Sequence, residues 1–243
     1  GCHFSDAGNN GDGNIIVNPM RIDVCLTSKL QRAKQTAHHC LWAFATQHQH
    51  QHQHQHQHQH QHEPLYKEDY RLNERHYGAL QGYIKSHIEE GRYGHSPIDV
   101  QAWRRGWYAI PPLLEEEDGR RKEELKGWEG HCGGKENVPR GESLEMVAEG
   151  RIRPFLGEVL HPLMMQAAER RNSNAGYGVN GNGVNGDSGG NVTVNVNVNV
   201  NGGSNGNVSG GCALIVAHAN SLRALIGVIC QVEKDEAALK RLE

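Results

Sequence analysis

Two short runs of hydrophobic residues, one near each end of the chain, predict strands. Residues 22–27 read IDVCLT, a β-prone apolar run, and residues 212–217 read CALIVA, which is typical of a strand buried on both faces. Each run is followed by a helix signal. Ser28 is a natural N-cap for a helix over residues 29–46, and residues 218–221 precede a helix whose apolar face contains Leu222, Leu225, Ile226 and Ile229. The pattern therefore predicts a strand, a turn and a helix at both places.

A longer helical pattern lies between these two regions. From residue 144 onward, apolar side chains recur at helical spacing. Pro154 and Pro162 interrupt this pattern, which predicts a kinked or broken helix because proline lacks the N–H that a helix needs. Residues 115–140 are dense in Glu, Lys, Arg and Gly and have no apolar stripe, so they predict an irregular loop or lid.

Parallel strands that are each followed by a helix are typical of α/β proteins. The sequence predicts a three-layer, open, mostly parallel sheet flanked by helices. Ligands of such sheets bind beyond the carboxyl ends of the strands, where helix N-termini favour an anion. Arg32, in the first turn of the early helix, and His218, at the tip of the late strand, lie at such positions. We therefore expect an anion-binding site at this edge of the sheet.

Two runs of biased composition interrupt the pattern, at residues 47–62 and 172–211. The first alternates Gln and His. Clustered imidazoles can bind zinc, but repetition without a carboxylate or a thiolate offers no defined coordination shell, so we predict no metal site. The second contains a Val/Asn alternation with the period of a strand, but glycines flank it, and we predict a disordered insertion. Residues 1–20 are predicted to be disordered, and residues 21–243 to form a single domain that the two inserts interrupt.

Composition and charge narrow the class of protein. The net charge of -3 shows no basic excess of the kind that suggests nucleic acid. No stretch approaches the roughly 20 apolar residues needed to cross a bilayer, so we expect no membrane partner. The six cysteines are scattered without metal-ligand spacing, which predicts a reduced, cytoplasmic protein. Because the chain begins with Gly1 rather than Met, we expect a fragment or a processed product.

Residues 71–78, which read RLNERHYG, contain the strongest chemical signal in the chain. They place an acid, two guanidinium groups and an imidazole beside a glycine. A guanidinium matches phosphate and carboxylate oxygens bidentately, and a carboxylate among cations can exchange protons with a substrate hydroxyl. The cluster therefore suits a phosphorylated acid. Taken alone, a charged loop of this kind is more often solvated surface than active site.

Several motifs occur together with this cluster and extend over most of the chain outside the two inserts. They are TSKLQRA at 27–33, RLNERHYGALQG at 71–82, WRR at 103–105, PP at 111–112, GESL at 141–144 and AHANSLR at 217–223. Their order resembles that of the cofactor-dependent phosphoglycerate mutases of the histidine phosphatase superfamily. The resemblance implies the glycolytic interconversion of 3-phosphoglycerate and 2-phosphoglycerate through a phosphohistidine, with 2,3-bisphosphoglycerate as primer and no metal. The implied partner is a small phosphorylated acid, and a homo-oligomer is left open.

The resemblance also implies residue roles. Glu74 matches the proton donor and acceptor for the substrate hydroxyls, and His218 matches the second active-site histidine, which stabilises the phosphoryl group in flight. The positions that match substrate-binding residues are Arg32, Arg75, His76, Tyr77, Lys85, Arg104, Arg105 and Asn220, together with Ala219, where the family has glycine.

The sequence departs from the family pattern at both ends. Members of the family begin with an apolar strand that ends in Arg-His-Gly, whose histidine carries the phosphoryl group, and no Arg-His-Gly occurs in the 243 residues. The chain also stops before the family's Gly-Ile-Pro strand pair. We therefore expect the first central strand and the C-terminal strand pair to be missing from the fold. Two other functions stay open: an inactive paralogue or fragment that binds phosphorylated acids, and a bisphosphoglycerate synthase or phosphatase.

Overall fold

The computed structural model describes residues 22–51, 63–128, 135–174, 193–197, 211–232, 235 and 237–238. The predicted disordered segment at residues 1–20, and most of the two inserts, lie outside these residues. The described strands are β1 (Val24–Thr27), β2 (Leu65–Glu68), β3 (Thr193–Asn197) and β4 (Cys212–Val216). The described α-helices are α1 (Gln31–Gln51), α2 (Lys85–Glu89), α3 (Pro97–Arg105), α4 (Gly119–Trp128), α5 (Leu144–Val147), α6 (Arg153–Phe155), α7 (His161–Asn174) and α8 (Ala219–Cys230).

The described strands form one sheet in the order β2-β1-β4-β3. β1 is parallel to both β2 and β4, and in this register Thr27 lies opposite Glu68 on one side and Val216 on the other. The ladder continues before β1, because Asp23 donates its N–H to the Cys212 carbonyl at 2.9 Å and accepts the Leu65 N–H at 2.8 Å. The predicted α/β class, with parallel strands and helices, is confirmed.

β3 differs from the sequence expectation. Residues 193–197 form an antiparallel strand against β4, with Thr193 opposite Val216 and Asn197 opposite Cys212. The prediction of a disordered insertion is therefore wrong over these five residues. The alternation of Val and Asn has the period of a strand, and the edge of β4 offers unpaired backbone groups to which such a segment can bond.

The chain divides into two compact units. The sheet unit comprises Gly1–Thr27, Gln31–Glu68 and Glu158–Val216, and the helical unit comprises Ser28–Leu30, Asp69–Gly157 and Ala217–Glu243. In the sheet unit the apolar core joins β1, β4 and α1, through the buried residues Ile22, Cys25, Ala33, Ala37, Leu214 and Val216. In the helical unit one apolar cluster contains Leu80, Ile88 and Val100, against which Tyr77 and Trp103 pack.

The helix predictions are confirmed in outline and wrong in detail. α1 begins at Gln31 rather than at residue 29 and continues to Gln51, five residues into the Gln/His run. Glutamine is a good helix former, so the run can extend a helix that has already started. On α8, Leu222 and Leu225 are buried as expected, but Ile229 is 41% exposed and Val228 is buried instead.

The predicted broken helix is present over residues 144–174. Two π-helical segments, Ala148–Ile152 and Leu156–Leu160, separate α5, α6 and α7. Each segment ends two residues before a proline, Pro154 or Pro162, and neither proline can donate the backbone hydrogen bond that would continue a regular α-helix.

The expected irregular loop at residues 115–140 is wrong in part, because α4 lies within it. α4 has no apolar stripe, and polar contacts hold its first turns instead: Arg121 is buried and donates to the carbonyls of Pro139 and Val138, at 3.1 and 3.0 Å. No helix among the described residues is long and apolar enough to span a membrane.

Candidate active site

Asn73 fixes the backbone immediately before Glu74. Its side chain is buried, and its Oδ1 accepts the Lys29 N–H at 2.9 Å. Its carbonyl accepts hydrogen bonds from Arg151 Nη1 at 3.1 Å and from Ser221 Oγ at 2.5 Å. Four segments of the helical unit therefore meet at one residue. Because buried polar groups are costly to leave unpaired, this arrangement restricts the path of the following residues.

Glu74 presents a half-buried carboxylate that Asn220 orients. Glu74 Oε1 accepts the Arg75 backbone N–H at 2.9 Å and the Asn220 Nδ2 amide at 3.1 Å. The same Asn220 nitrogen donates to the Tyr77 hydroxyl oxygen at 2.7 Å. One side chain at the start of α8 thus joins an acid and a phenol from the RLNERHYG segment. A carboxylate held in this way keeps part of its surface open for proton exchange with a ligand.

His218 is the N-cap residue of α8, and its side chain is buried. Its Nε2 lies 3.1 Å from Ser28 Oγ, which also accepts the Leu30 N–H at 3.2 Å. Ser28 therefore orients the imidazole, a role beyond the helix cap that the sequence suggested for it. The N-terminal end of a twelve-residue helix favours a negative charge beside this histidine.

Arg75 is the most deeply buried cation of the predicted set, with 1% of its surface exposed. Its guanidinium lies over the Tyr77 ring, 4.8 Å from the centroid, and its Nη2 donates to the Trp103 carbonyl. Among the described residues, Arg75 Nε and Nη1 have no hydrogen-bond partner. The protein itself covers both nitrogens, so contact of Arg75 with a phosphorylated acid such as 2,3-bisphosphoglycerate stays a prediction.

Arg104 and Arg105 lie at the end of α3, where they line a cavity of about 350 Å³. Arg104 forms an ion pair with Glu89 at the end of α2. Arg105 is exposed, and its carbonyl accepts a hydrogen bond from Arg223 Nη1 at 2.9 Å. The other lining residues are Glu89, Pro97, Val100 and Gln101, so neither Glu74 nor His218 contributes to this cavity.

The remaining predicted residues differ in their surroundings. His76 is buried and both of its ring nitrogens have partners within the protein, Gly78 N–H and the Glu124 carboxylate, each at 3.0 Å. Lys85 and Ala219 are exposed at the first positions of α2 and α8. Arg32 is exposed near the start of α1 in the sheet unit, and its contact with a ligand stays a prediction.

Sequence reasoning missed the polar residues that support these side chains. Glu142 accepts the His76 backbone N–H at 2.9 Å and pairs with Arg151 at 3.0 Å, and both side chains are buried. Glu142 stood in the GESL motif without an assigned role, whereas Arg151 and Glu124 gave no signal at all. A group of three or more His, Cys, Asp or Glu side chains that could hold a metal ion does not occur among the described residues.

Comparison with known proteins adds an independent finding. No protein-family model matches the chain. The chain is 36% identical over 144 residues to a 2,3-bisphosphoglycerate-dependent phosphoglycerate mutase of Lachnoclostridium phytofermentans, an alignment that covers 59% of this chain and 49% of the relative. A protein of the same name from Treponema denticola is 33% identical over 147 residues, with 59% and 50% covered. The chain is therefore similar to phosphoglycerate mutases over about three fifths of its length.

A third phosphoglycerate mutase, from Wigglesworthia glossinidia brevipalpis, is 28% identical over 176 residues and extends the match to 70% of this chain and 52% of the relative. This protein spans about half the length of the curated phosphoglycerate mutases that it matches. The resemblance stated from the motifs is therefore confirmed as a similarity to phosphoglycerate mutases.

Proposed function

We propose that the chain supplies the substrate-binding and proton-transfer groups of a 2,3-bisphosphoglycerate-dependent phosphoglycerate mutase, which interconverts 3-phosphoglycerate and 2-phosphoglycerate. One observation carries the proposal. Asn220, two residues after His218, donates to both Glu74 Oε1 and the Tyr77 hydroxyl, and so gathers the acid, the phenol and the start of α8 in one place.

Glu74 is the group that takes the proton from the substrate hydroxyl as it becomes phosphorylated, and returns one to the hydroxyl that is released. Two N–H donors already bind its Oε1, which leaves Oε2 to face the ligand. A positioned carboxylate of this kind contributes a factor of roughly 10² to 10⁴ to a rate. His218, held by Ser28 at a helix N-terminus, stabilises negative charge on the phosphoryl group during transfer.

The cations of the helical unit bind the phosphate and carboxylate oxygens of the substrate. Arg104 and Arg105 line the cavity beside α3, and the buried Arg75 donates to the Trp103 carbonyl just before them in the chain. 2,3-Bisphosphoglycerate, when bound, supplies the phosphoryl group that primes the enzyme. Phosphoryl transfer depends chiefly on positioning and on compensation of charge, so a site for this chemistry requires several cations around one ligand.

A second candidate function is the binding of phosphorylated acids without turnover. The cavity beside α3 favours it, because Arg104 and Arg105 line this cavity whereas neither Glu74 nor His218 does. The 243 residues contain no Arg-His-Gly, the motif of the family's phosphoryl-carrying histidine. The 243-residue chain incubated with labelled 2,3-bisphosphoglycerate should then form no phosphohistidine. Acid-labile label on a histidine would contradict this expectation and would also require a nucleophile other than the one in that motif.

A version of the chain that carries a family-type strand ending in Arg-His-Gly tests the mutase directly. We expect it to isomerise 3-phosphoglycerate, and Glu74→Gln in that version to lower kcat by about 10² to 10⁴. Glu90→Gln is the matched control, since Glu90 is an exposed carboxylate of the same unit that pairs with Arg92. An unchanged kcat in Glu74→Gln would remove Glu74 from its role. Ligand binding without isomerisation would support the second candidate, and steady release of inorganic phosphate would indicate a bisphosphoglycerate phosphatase.

A further inference from the structure

The first turns of α4 contact the segment that carries Glu74. Arg120 Nη1 donates to the carbonyls of Ala79 and Gln81, at 3.0 and 2.8 Å, and its guanidinium lies 5.1 Å from the Tyr83 ring centroid. Asp118 holds this arginine through paired hydrogen bonds of 2.7 to 3.2 Å, which keep the pKa of the Asp118 carboxyl below its usual value. One turn later, Glu124 Oε1 reaches His76 Nε2.

The hydrogen bonds of His76 determine which ring nitrogen carries the proton. Gly78 contributes a backbone N–H, which can only donate, so the His76 Nδ1 that receives it at 3.0 Å has no proton. In the neutral ring the proton must therefore be on Nε2, where the Glu124 carboxylate accepts it. Glu124 thus fixes both the tautomer and the orientation of the imidazole. The side chains of His76 and Glu124 are only 7% and 17% exposed, so solvent screens this contact weakly.

The imidazole in turn supports a turn that only glycine can form. Gly78 has a φ of +57°, and a Cβ at this position would lie 2.0 Å from the Pro112 carbonyl oxygen. The backbone of His76 is fixed on its other side, because its N–H and carbonyl both bond to Glu142, at 2.9 Å each. The chain from Glu74 to Gly78 is therefore held by Glu142 through the backbone and by Glu124 through the imidazole.

We propose that Glu124 is a positioning residue: by orienting His76, it fixes the Gly78 turn and thereby the placement of Glu74 and Tyr77. This inference rests on the proposed function for its catalytic consequence. It also gives His76 a role within the protein instead of contact with the substrate. A carboxylate on a helix outside the recognised motifs thus becomes part of the support of the candidate active site.

The first test does not depend on turnover. In the 243-residue chain labelled with ¹⁵N-histidine, we expect the His76 ring to show an unprotonated Nδ1 and a protonated Nε2, with His76→Gln identifying its signals. Glu124→Ala should speed amide hydrogen exchange at Gly78 by about tenfold or more, because the ring loses its partner. Glu124→Gln keeps an oxygen acceptor and should restore both the tautomer and the slow exchange. Glu123→Ala, on the exposed face of the same helix, is the matched control and should change neither.

Three results would overturn the proposal: a protonated Nδ1 in the unaltered chain, Gly78 exchange within about twofold of the unaltered chain in Glu124→Ala, or equally faster exchange throughout the helical unit. The last result would mean a general loss of stability rather than positioning.

The second test uses the version of the chain with the Arg-His-Gly strand. Glu124→Ala should lower kcat by about tenfold with little change in KM, and Glu124→Gln should recover most of this loss. A larger effect on KM than on kcat would contradict a role in placing Glu74. If no variant isomerises 3-phosphoglycerate, the proposed function fails, while the exchange measurement still decides whether Glu124 positions the loop.

Discussion

The sheet unit and the helical unit are stabilised by different kinds of interior. In the sheet unit, β1 and β4 bury every side chain, and their contacts are apolar packing and a parallel backbone ladder. In the helical unit, the segment around Glu74 is surrounded by buried polar side chains that are hydrogen-bonded to one another, namely Asn73, His76, Glu142 and Arg151. The stability of the sheet unit depends on how much apolar surface it buries and how well that volume is filled. The stability of the helical unit depends on the geometry of its hydrogen bonds and on a partner for each buried polar group.

This difference matters for function. Apolar packing tolerates small shifts of a side chain, because dispersion and burial have little directionality. A catalytic carboxylate must instead be placed to within a fraction of an ångström of its substrate, which hydrogen bonds can achieve. The helical unit therefore uses charged groups in its interior where the candidate site needs precision. Because these buried charged groups depend on one another, the loss of a single hydrogen-bond partner should destabilise the helical unit.

The largest expected effect is the loss of the buried ion pair between Glu142 and Arg151. Glu142→Ala leaves the Arg151 guanidinium buried without its carboxylate and removes the acceptor of the His76 N–H. The free energy of unfolding should fall by about 3 to 5 kcal/mol. Urea denaturation followed by tryptophan fluorescence measures this change. Glu145→Ala removes an exposed carboxylate three residues further along and is the control. An equal change in the free energy of unfolding for Glu142→Ala and Glu145→Ala would show that the buried polar groups do not stabilise the site.

Truncation of the apolar core should cost somewhat less. Leu214 is fully buried in the centre of β4, and Leu214→Ala should lower the free energy of unfolding by about 3 kcal/mol, through lost burial and the cavity left behind. The same denaturation experiment applies. Ile98→Ala, at a position that is 79% exposed, should stay within about 0.5 kcal/mol of the unaltered chain. A cost below about 1 kcal/mol for Leu214→Ala would mean that the sheet is not tightly packed.

Alkaline pH should weaken the sheet unit. Burial raises the pKa of the Cys25 thiol to about 12 and that of the Tyr66 hydroxyl to about 12. The folded state keeps these protons while the unfolded state releases them, so this contribution to stability is complete below about pH 9 and is lost as the pH rises toward 12. At about pH 10.5, Cys25 alone accounts for a loss on the order of 2 kcal/mol.

Denaturation measured across this range, with Cys25→Ala as the comparison, tests the assignment. The variant should show a shallower decline above pH 9 than the unaltered chain. A matching thiol-labelling experiment should modify the exposed Cys230 rapidly and Cys25 only after unfolding. Rapid labelling of Cys25 in the folded chain would contradict its burial.

The smallest effect on stability is expected at the ion pair between Glu89 and Arg104, where the side chains are 52% and 29% exposed. Glu89→Gln should change the free energy of unfolding by less than about 1 kcal/mol, because water screens the pair. It also removes the carboxylate that competes with a ligand for Arg104, so calorimetric titration should show a few-fold tighter binding of 3-phosphoglycerate. Glu90→Gln is the control, and weaker binding in Glu89→Gln than in that control would exclude competition at Arg104.

Structure that rests on local apolar patterns could be predicted from the sequence, whereas structure that rests on polar or long-range contacts could not. β1 and β4 were predictable because apolar runs encode burial locally, and the broken helix because proline acts on its own turn. α4 and β3 could not be predicted in this way. Polar contacts stabilise α4, and β3 forms only because it pairs with β4. The support of the candidate site was also unreadable: Ser28 and His218 are 190 residues apart in sequence, and His76 and Glu124 are 48 apart. Such pairs leave no periodicity in the chain.

We propose that Asn220, through its hydrogen bonds to both, gathers Glu74 and Tyr77 into a site for a phosphorylated three-carbon acid. The most direct test is titration of the 243-residue chain with 3-phosphoglycerate, followed by NMR at the side-chain amide of Asn220. We predict a saturable shift of this signal that inorganic sulfate at the same concentration does not reproduce, and that is lost in Asn220→Ala. An Asn220 amide signal that stays unchanged up to millimolar 3-phosphoglycerate, or that responds equally to sulfate, would contradict the account.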